Sequence, residues 1–588
     1  MRTCNDDSPV PVQRYGLLIE RADNNQVHPL CVGEDPVDVS SLDHMNVLIT
    51  CRCDGRSSNT GTSQGAGKIV IRNTNKTVLL FDLIIDDGKV QQHDSTHWHY
   101  TKLPKYPLDY LIVYPMTREG TRNTLLSVTK NAQKDYKKDY ERRFMIMSNE
   151  EFAMETIGVV PSYPDVALYR SAFDSMMVWE ADDWKSASMS WKESCYIHAG
   201  ISGPVFTIEG PGAQDLLSYA SINNVYNWPV NTHKHLVMCN EDGLIEAHTL
   251  ALRAGEDCFR YYAGNPWPLF RLLGSGQYNA TVEPTMMFIY QIAGPLSLTV
   301  IEKLTQQSQR DVGFLDCKMI TLPGMDTEIE LARIGMTGNL AYELRGPAEI
   351  GPAIYDRAYQ TGKPFGMKRL GWRTYCVNHV EAGFPQITVT FTVASVMDPV
   401  FQSVPEMVEK GVPQYTGSID PADVRARLRT PGEVDWMRMA KFDHDFMGRA
   451  AVEAESKDLK RKIVNLEWNV EDILDITASQ YQPGEEFKHL EYPCGVQQPA
   501  GGHADLVTTL DGKPIGVSSG TTYSYYYRQE ISQCIIDVDE AELGNEVLVH
   551  WGDYGKRIKQ VRAKVARYPY IDLVRNENDD LSEVPSGV

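Results

Sequence analysis

The chain has 588 residues, too many for one ordinary hydrophobic core, so several domains are expected. Hydrophobic residues make up 42% and charged residues 23%, the balance of a globular protein, and no apolar run reaches the length of a membrane helix. A net charge of −21 excludes broad nucleic-acid binding, which needs a basic field, and 11 scattered cysteines without a repeated C-x-x-C pattern argue against a zinc site or a disulfide framework.

The polar, proline-bearing start MRTCNDDSPVPVQRYG lacks the form of a secretory signal, so a cytoplasmic location is expected. Residues 1–115 read as a β-rich accessory domain, because NVLITCRCDG and GKIVIRNTNKTVLLFDLIIDDGKV alternate β-branched residues between turn formers. GRSSNTGTSQGAG reads as a mobile loop, and it lacks the Lys-Ser/Thr pair of a phosphate-binding loop. In HDSTHWHYTK, His97 and His99 would share a strand face beside His93, but no further ligand pattern accompanies them, so no metal is expected. RNTLLSVTKNAQKDYKKDYERRF has helical spacing and predicts a connecting helix within a charged linker over 116–150.

From 151 to 400 strands and helices mix, and one unit occurs twice. PVFTIEGPGAQDLLSYA and FIYQIAGPLSLTVIEKL each run from a strand through Gly-Pro into a helix, with proline opening the helix where its missing N–H costs nothing. Two related α+β halves are predicted. Residues 401–460 form a proline- and charge-rich excursion. Over 461–575 short alternating segments such as KIVNLEWNV, ISQCIIDV and VRAKVARYP predict a terminal β-barrel or sandwich. The acidic tail, 576–588, is expected to be loose.

The order of these pieces resembles the aminomethyltransferase family, the folate-binding T-protein of glycine cleavage. The resemblance rests on IEGPGAQDLL, RIGMTGNLAYELRGP, LGWRTYCVNHVEAGFP, FDHDFMGRAA and GVSSGTTYSYYYRQEISQCIIDV, in that order. It spans roughly 155–575 and implies a T-protein-like α+β body with a C-terminal β-barrel, preceded by the extra N-terminal domain. Within the family the chain is most similar to tetrahydrofolate-dependent aryl O-demethylases of the vanillate and syringate type, on KFDHDFMGRAA, KIVNLEWNVEDI and VLVHWG.

The resemblance implies roles for particular residues. The family's T-G-x-x-x-[YF]-E glutamate, which grips the pterin of tetrahydrofolate, corresponds to Glu343, with Tyr342 beside it. A pterin edge offers two parallel N–H donors, which a fixed carboxylate can accept together. An edge-strand glutamate facing water is the plain alternative. Tyr375 matches a tyrosine that the demethylases place beside the substrate, where it would assist the leaving oxygen. Its alternative is a packed core tyrosine. Arg373 and Glu381 match recurrent family positions, Arg373 on the cofactor side, with a structural ion pair as the alternative.

Two departures bear on the chemistry. Where the family has F-D-x-S-H-M-G, this chain has His198-Ala199-Gly200-Ile201-Ser202-Gly203-Pro204, so the aspartate is Ala199, the histidine is Ser202, and the nearest imidazole is His198. Where the family has G-x-x-x-D, the aspartate is Ala247, flanked by Glu246 and His248, which a strand would turn to one face as an acid–base pair. Surface placement of both is the alternative. Gly264 stands where vanillate-type enzymes carry an arginine for the substrate carboxylate. Tyr261, Tyr262, Trp267 and Phe270 would then suit a flat, more neutral aromatic compound. The expected activity is tetrahydrofolate-dependent demethylation of a small methoxylated aromatic. A lyase, isomerase or cyclase on the same scaffold and a non-catalytic folate binder are the rivals.

Overall fold

The computed structural model describes residues 166–588 except 173–174, 201, 388, 405–407, 409–411 and 496–501, together with seven short strands nearer the N-terminus. The chain divides into two compact units, Met1–Asp135 and Tyr136–Val588.

In the first unit β1 (Leu18–Ile19) pairs with β2 (Val47–Leu48), and β6 (Leu111–Val113) with β7 (Thr124–Leu126). A three-stranded antiparallel sheet joins β3 (Gln64–Arg72), β4 (Val78–Asp86) and β5 (Lys89–Gln92). Two expectations change here. The end of the glycine-rich loop is strand, with Gly65 opposite Ile85. The expected linker helix gives way to strand at Thr124–Leu126, where three consecutive β-capable residues, Thr-Leu-Leu, find a pairing partner in β6. The rest of that segment, and His93, His97 and His99, lie outside the described residues.

The second unit opens with the hairpin β8 (Leu168–Ala172) and β9 (Ser175–Glu180), then builds a ten-stranded sheet. Its strands are β10 (Tyr196–His198), β11 (Gly203–Glu209), β12 (His233–Cys239), β13 (Ile245–Arg253), β14 (Cys258–Tyr262), β15 (Thr281–Ala293), β16 (Cys317–Thr321), β17 (Glu328–Ala332), β18 (Ala341–Pro347) and β19 (Lys368–Arg369). The main path runs β12-β13-β14-β11-β15-β18-β17-β16, with β10 pairing β15 and β19. Counted from β11 and from β15, the two halves are mirror sequences of one strand order that meet at the β11–β15 pair.

Each half turns from its first strand into its first helix through a glycine that no other residue replaces. Gly210 and Gly294 have φ of 123° and 125°, and a Cβ at either would stand 2.8 Å from the Asn279 carbonyl oxygen or 2.6 Å from that of Ser194. The prolines that follow lie in the turn, two residues ahead of the helices Ala213–Ala220 and Ser297–Thr305. Helices cover one face of each half. Leu216, Leu217, Phe259 and Tyr261 fill the first core, and Tyr290, Ile292, Leu298 and Ile354 the second.

After the helix Trp372–Ala382 comes the predicted excursion, ordered around a fully buried arginine. Arg427 satisfies its donors on the carbonyls of Gly502, Asp420, Asp423, Thr416 and Ile419 at 2.9–3.1 Å. The C-terminal strands close a barrel in the order β20-β23-β22-β21-β24-β25: β20 (Arg461–Trp468), β21 (Asp505–Thr508), β22 (Pro514–Ser524), β23 (Gln529–Asp537), β24 (Glu546–Trp551) and β25 (Lys559–Ala566). On β25, Val561, Ala563 and Val565 point inward between exposed neighbours, the alternation a filled barrel needs.

The tail is docked rather than loose. Arg333 donates through Nε (3.1 Å) and Nη2 to the side-chain and main-chain oxygens of Asn576, which is 1% exposed. Arg310 takes the Val584 carbonyl at 2.9 Å, and Glu302 accepts from the Gly587 N–H at 2.9 Å. Composition predicted disorder because it counts side-chain charge. The docking uses one asparagine and the tail's own backbone.

Candidate active site

At the centre of the sheet the β15–β18 register sets Gln291 opposite Glu343. Side chains on β18 alternate. Tyr342 and Leu344 enter the helix-side core, so Glu343 and Arg345 face the other way. Glu343 is only 3% exposed. Its Oε2 accepts from Nε of Arg345 at 2.9 Å and also from Nη2. Oε1 has only a long 3.4 Å contact from the Gln291 amide. That amide is itself oriented, because its oxygen accepts the Tyr196 hydroxyl at 2.5 Å. The carboxylate is therefore clamped on one oxygen and lightly engaged on the other.

Tyr375 lies on the helix Trp372–Ala382, which packs against β22 and β9. It is fully buried and sits between two imidazoles: His198 stacks on its ring at 4.0 Å, and His379 meets it edge-on at 4.1 Å. The Tyr375 hydroxyl donates to the Met336 sulfur at 2.8 Å. Burial first, then the charges of Tyr196 and Glu343, push that hydroxyl well above its ordinary range, so it keeps its proton at neutral pH. His198 and His379 each meet a carbonyl through Nδ1, Leu370 at 2.8 Å and Tyr375 at 2.9 Å. A carbonyl only accepts, so both protons sit on Nδ1 and both Nε2 atoms are bare. Neither Nε2 has a hydrogen-bond partner. Burial lowers His198 to about 4 and His379 to about 3, leaving two neutral rings around the phenol.

Glu246 and His248 take separate partners. Glu246 is 1% exposed, and both its oxygens are taken by Arg271, Oε1 at 2.9 Å and Oε2 at 2.5 Å. Arg271 also reaches Asp398 at 3.1 Å. Burial and the Asp398 charge hold the Glu246 carboxyl above its ordinary value despite the arginine. His248 instead meets His235 of β12, Nε2 to Nδ1 at 3.1 Å, and lies 4.4 Å from the ring of Trp436 in the excursion. Surface placement, the alternative for both, does not hold: the strand is covered by the helix Trp267–Leu273 and by the excursion.

The other predicted residues separate. Tyr261 and Tyr262 point to opposite faces. Tyr261 fills the apolar core with its hydroxyl on the Asn265 carbonyl at 2.8 Å, while Tyr262 lies under the Arg345 guanidinium at 4.0 Å and donates to Glu330 at 2.7 Å. Trp267 donates to Asp398 at 2.9 Å and packs on Phe401, and Phe270 packs on Phe206. Arg373 binds Glu180 at 3.2 Å and the Cys494 and Tyr492 carbonyls at 2.9 and 2.6 Å, because its place on the helix faces β9 and the barrel connection. Glu381 takes Lys192 at 2.6 Å and Ser524 at 2.6 Å, so the anticipated Arg373–Glu381 pair is not formed. Tyr342 is in the core and not beside Glu343, since adjacent strand residues face opposite ways.

Sequence reasoning missed Arg345, Gln291, His233 and His235. Three of these were visible as spacing: E-x-R at 343 and 345, and H-x-H at 233 and 235, each setting two polar groups on one strand face. Gln291 had no local signal. A buried carboxylate with one lightly engaged oxygen, beside a protonated phenol and neutral imidazoles, fits a ligand that donates N–H to that oxygen and a reaction that needs a hydrogen bond to a leaving oxygen.

The GCVT N-terminal domain family matches residues 203–392. A sesamin methylene transferase from Sinomonas sp. is 32% identical over 419 residues, which cover 68% of this chain and 92% of that protein. A syringate O-demethylase from Sphingobium sp. is 25% identical over 422 residues, covering 67% and 90%. The crystal structure of the glycine cleavage system aminomethyltransferase T from Bartonella henselae aligns with a TM-score of 0.48 at 15% identity, covering 70% of this chain and 95% of that one.

Proposed function

The chain belongs to the aminomethyltransferase family, and on that premise we propose that it is a tetrahydrofolate-dependent O-demethylase of a small, neutral, methoxylated aromatic compound. The observation that carries this reading is the Glu343 carboxylate, buried, fixed on Oε2 by Arg345 and held on Oε1 only by a long contact from Gln291. Tetrahydrofolate, when bound, would supply the nitrogen that accepts the carbon. Glu343 would hold its pterin edge and Gln291 would fix the rotamer of that carboxylate.

Tyr375 has the chemistry to assist the leaving oxygen. Its hydroxyl stays protonated at neutral pH and now rests on a weak acceptor, the Met336 sulfur, which an ether oxygen would displace at little cost. His198 and His379, both neutral, hold the ring in place without adding charge. A neutral substrate is favoured by position 264, where a Cβ would lie 2.7 Å from the Tyr261 ring and 3.0 Å from the His248 carbonyl oxygen. No arginine for a carboxylate can stand there without moving both.

A second reading, transfer of a methylene carbon from an aryl diether, is favoured by the higher identity to the sesamin methylene transferase. The two readings differ in product. Incubation of the protein with tetrahydrofolate and a panel of methoxy- and methylenedioxyarenes should give 5-methyltetrahydrofolate in the first case and a methylene derivative in the second. Tyr375→Phe should lower turnover about a hundredfold with little change in folate affinity. Equal turnover would remove Tyr375 from the reaction.

A further inference from the structure

Arg345 is enclosed on three sides. It has no exposed surface, and its donors are divided between Glu343, through Nε and Nη2, and Nε2 of His233, through Nη1 at 2.6 Å. His233 can accept because its Nδ1–H is committed to the Leu315 carbonyl at 3.0 Å. The Arg345 Cζ lies 4.0 Å from the Tyr262 ring centroid. The titratable and charged groups around it come from five strands: Glu343 on β18, Glu330 on β17 at 4.0 Å, His233 on β12, Tyr262 and Arg260 on β14, and Cys317 on β16. Arg260 pairs with Glu330, so two carboxylates and two guanidiniums balance without any outside charge.

We propose that Arg345 is a positioning residue for the cofactor grip: by saturating Oε2 of Glu343 it fixes that carboxylate and leaves Oε1 for the incoming ligand, while His233 and Tyr262 hold the guanidinium in place. The inference rests on the reading of Glu343 as the pterin anchor. Lysine would not substitute. A single ammonium cannot send two parallel N–H bonds to one carboxylate, reach an imidazole in a third direction and lie flat on a phenol ring. A buried carboxylate that loses its cation takes up a proton instead, and a protonated carboxyl cannot accept two donors at once.

The test is tetrahydrofolate affinity of the full chain, measured from pH 6 to 9 for the wild type, Arg345→Lys, Arg345→Met, His233→Leu and Glu343→Gln. The wild type should give a nearly flat profile. Arg345→Met should bind at least about tenfold more weakly at pH 7 and recover affinity as pH rises, about tenfold per unit at most. Arg345→Lys should fall between the two. A structural role alone would not tilt the profile. Wild-type affinity with a flat profile in Arg345→Met would overturn the inference while leaving the anchor in place. Wild-type affinity in Glu343→Gln would instead remove the anchor itself. If Arg345→Met does not fold, His233→Leu keeps the guanidinium and removes only one of its supports. A weakened, pH-dependent affinity there sustains the proposal, and an unchanged one sinks it.

Discussion

Glu343 and Glu246 lie in opposite halves of the sheet, almost equally buried, and each is paired with an arginine. The arginines differ. Arg345 is two residues along the same strand, wholly enclosed, and spends its donors on one oxygen of Glu343. Arg271 comes from a helix, is 30% exposed, and takes both oxygens of Glu246 while also holding Asp398. Asp398 in turn accepts the Trp267 indole, so Glu246 ties β13 to a helix and to the excursion. What distinguishes a ligand grip from a structural clamp is therefore the number of acceptor sites left open, and burial does not report it.

The largest effects should come from neutralising each glutamate in turn. Glu343→Gln strands a buried arginine and should cost about 1–3 kcal/mol of stability, and Glu246→Gln should cost less, because Arg271 is part-exposed and keeps Asp398. Glu343→Gln should also weaken tetrahydrofolate binding by about 2–5 kcal/mol, whereas Glu246→Gln should bind it as the wild type does. Thermal melts with and without the ligand read both quantities. A ligand-induced shift lost in Glu246→Gln and kept in Glu343→Gln would invert the assignment.

The halves share a weakness to acid that the barrel carries, among the described residues, only at the half-buried His550 of β24. His198, His233 and His379 are buried in the body and His235 and His248 half-buried, and desolvation is the first cause lowering each, to about 4 for His198 and His235 and about 3 for His379. Below the ordinary histidine range near 6.5 the unfolded chain binds protons that the folded body refuses, so it binds more than the native state. Stability is thus full above about pH 6.5 and falls by several kcal/mol as pH drops toward 4. Hydrogen exchange across this window should open β12, β13 and the helix Trp372–Ala382 before β20 and β23. Simultaneous opening would argue that the barrel has no independent reserve.

How much of this was legible follows from range. The Gly-Pro turns, the inward alternation of Val561, Ala563 and Val565, and the glutamate after the glycine turn are local patterns, and a single sequence carries them. Which face of a strand is covered is not local. Glu246 and His248 share a face as expected, but their partners arrive from 271, 398, 235 and 436, and nothing in the intervening sequence announces those meetings. Arg373 and Glu381 failed as a pair for the same reason, since each found a nearer partner on another element. The tail was misread because one buried asparagine outweighs a run of acidic residues.

That asparagine sets a smaller prediction on the Glu343 half. Asn576 also donates its N–H to the Gly338 carbonyl at 2.7 Å, in the turn that leads into β18. Asn576→Ala leaves the Arg333 guanidinium short of an acceptor and should cost about 1–3 kcal/mol, with faster hydrogen exchange at residues 336–341. The contacts of Asn576 all fall on residues 333–341, so exchange in β12 and β13 should be unchanged. Equal loosening of both would mean that the tail stabilises the whole body rather than one turn.

Smallest of all should be the effect of Tyr342→Phe, and its smallness is the point. Tyr342 and Glu343 are neighbours on β18, and a site that used both would need a side chain on each face of the sheet. The Tyr342 hydroxyl is buried without a hydrogen-bond partner, and burial pushes it upward from its ordinary range. Deleting a hydroxyl that is already unpaired removes a desolvation cost and no bond, so stability should change by less than about 0.5 kcal/mol or rise slightly. Tetrahydrofolate affinity should stay at the wild-type value. A loss of affinity comparable to that of Glu343→Gln would show that the ligand reaches the helix side of β18, and the proposal that it binds from the Glu343 side alone would fall with it.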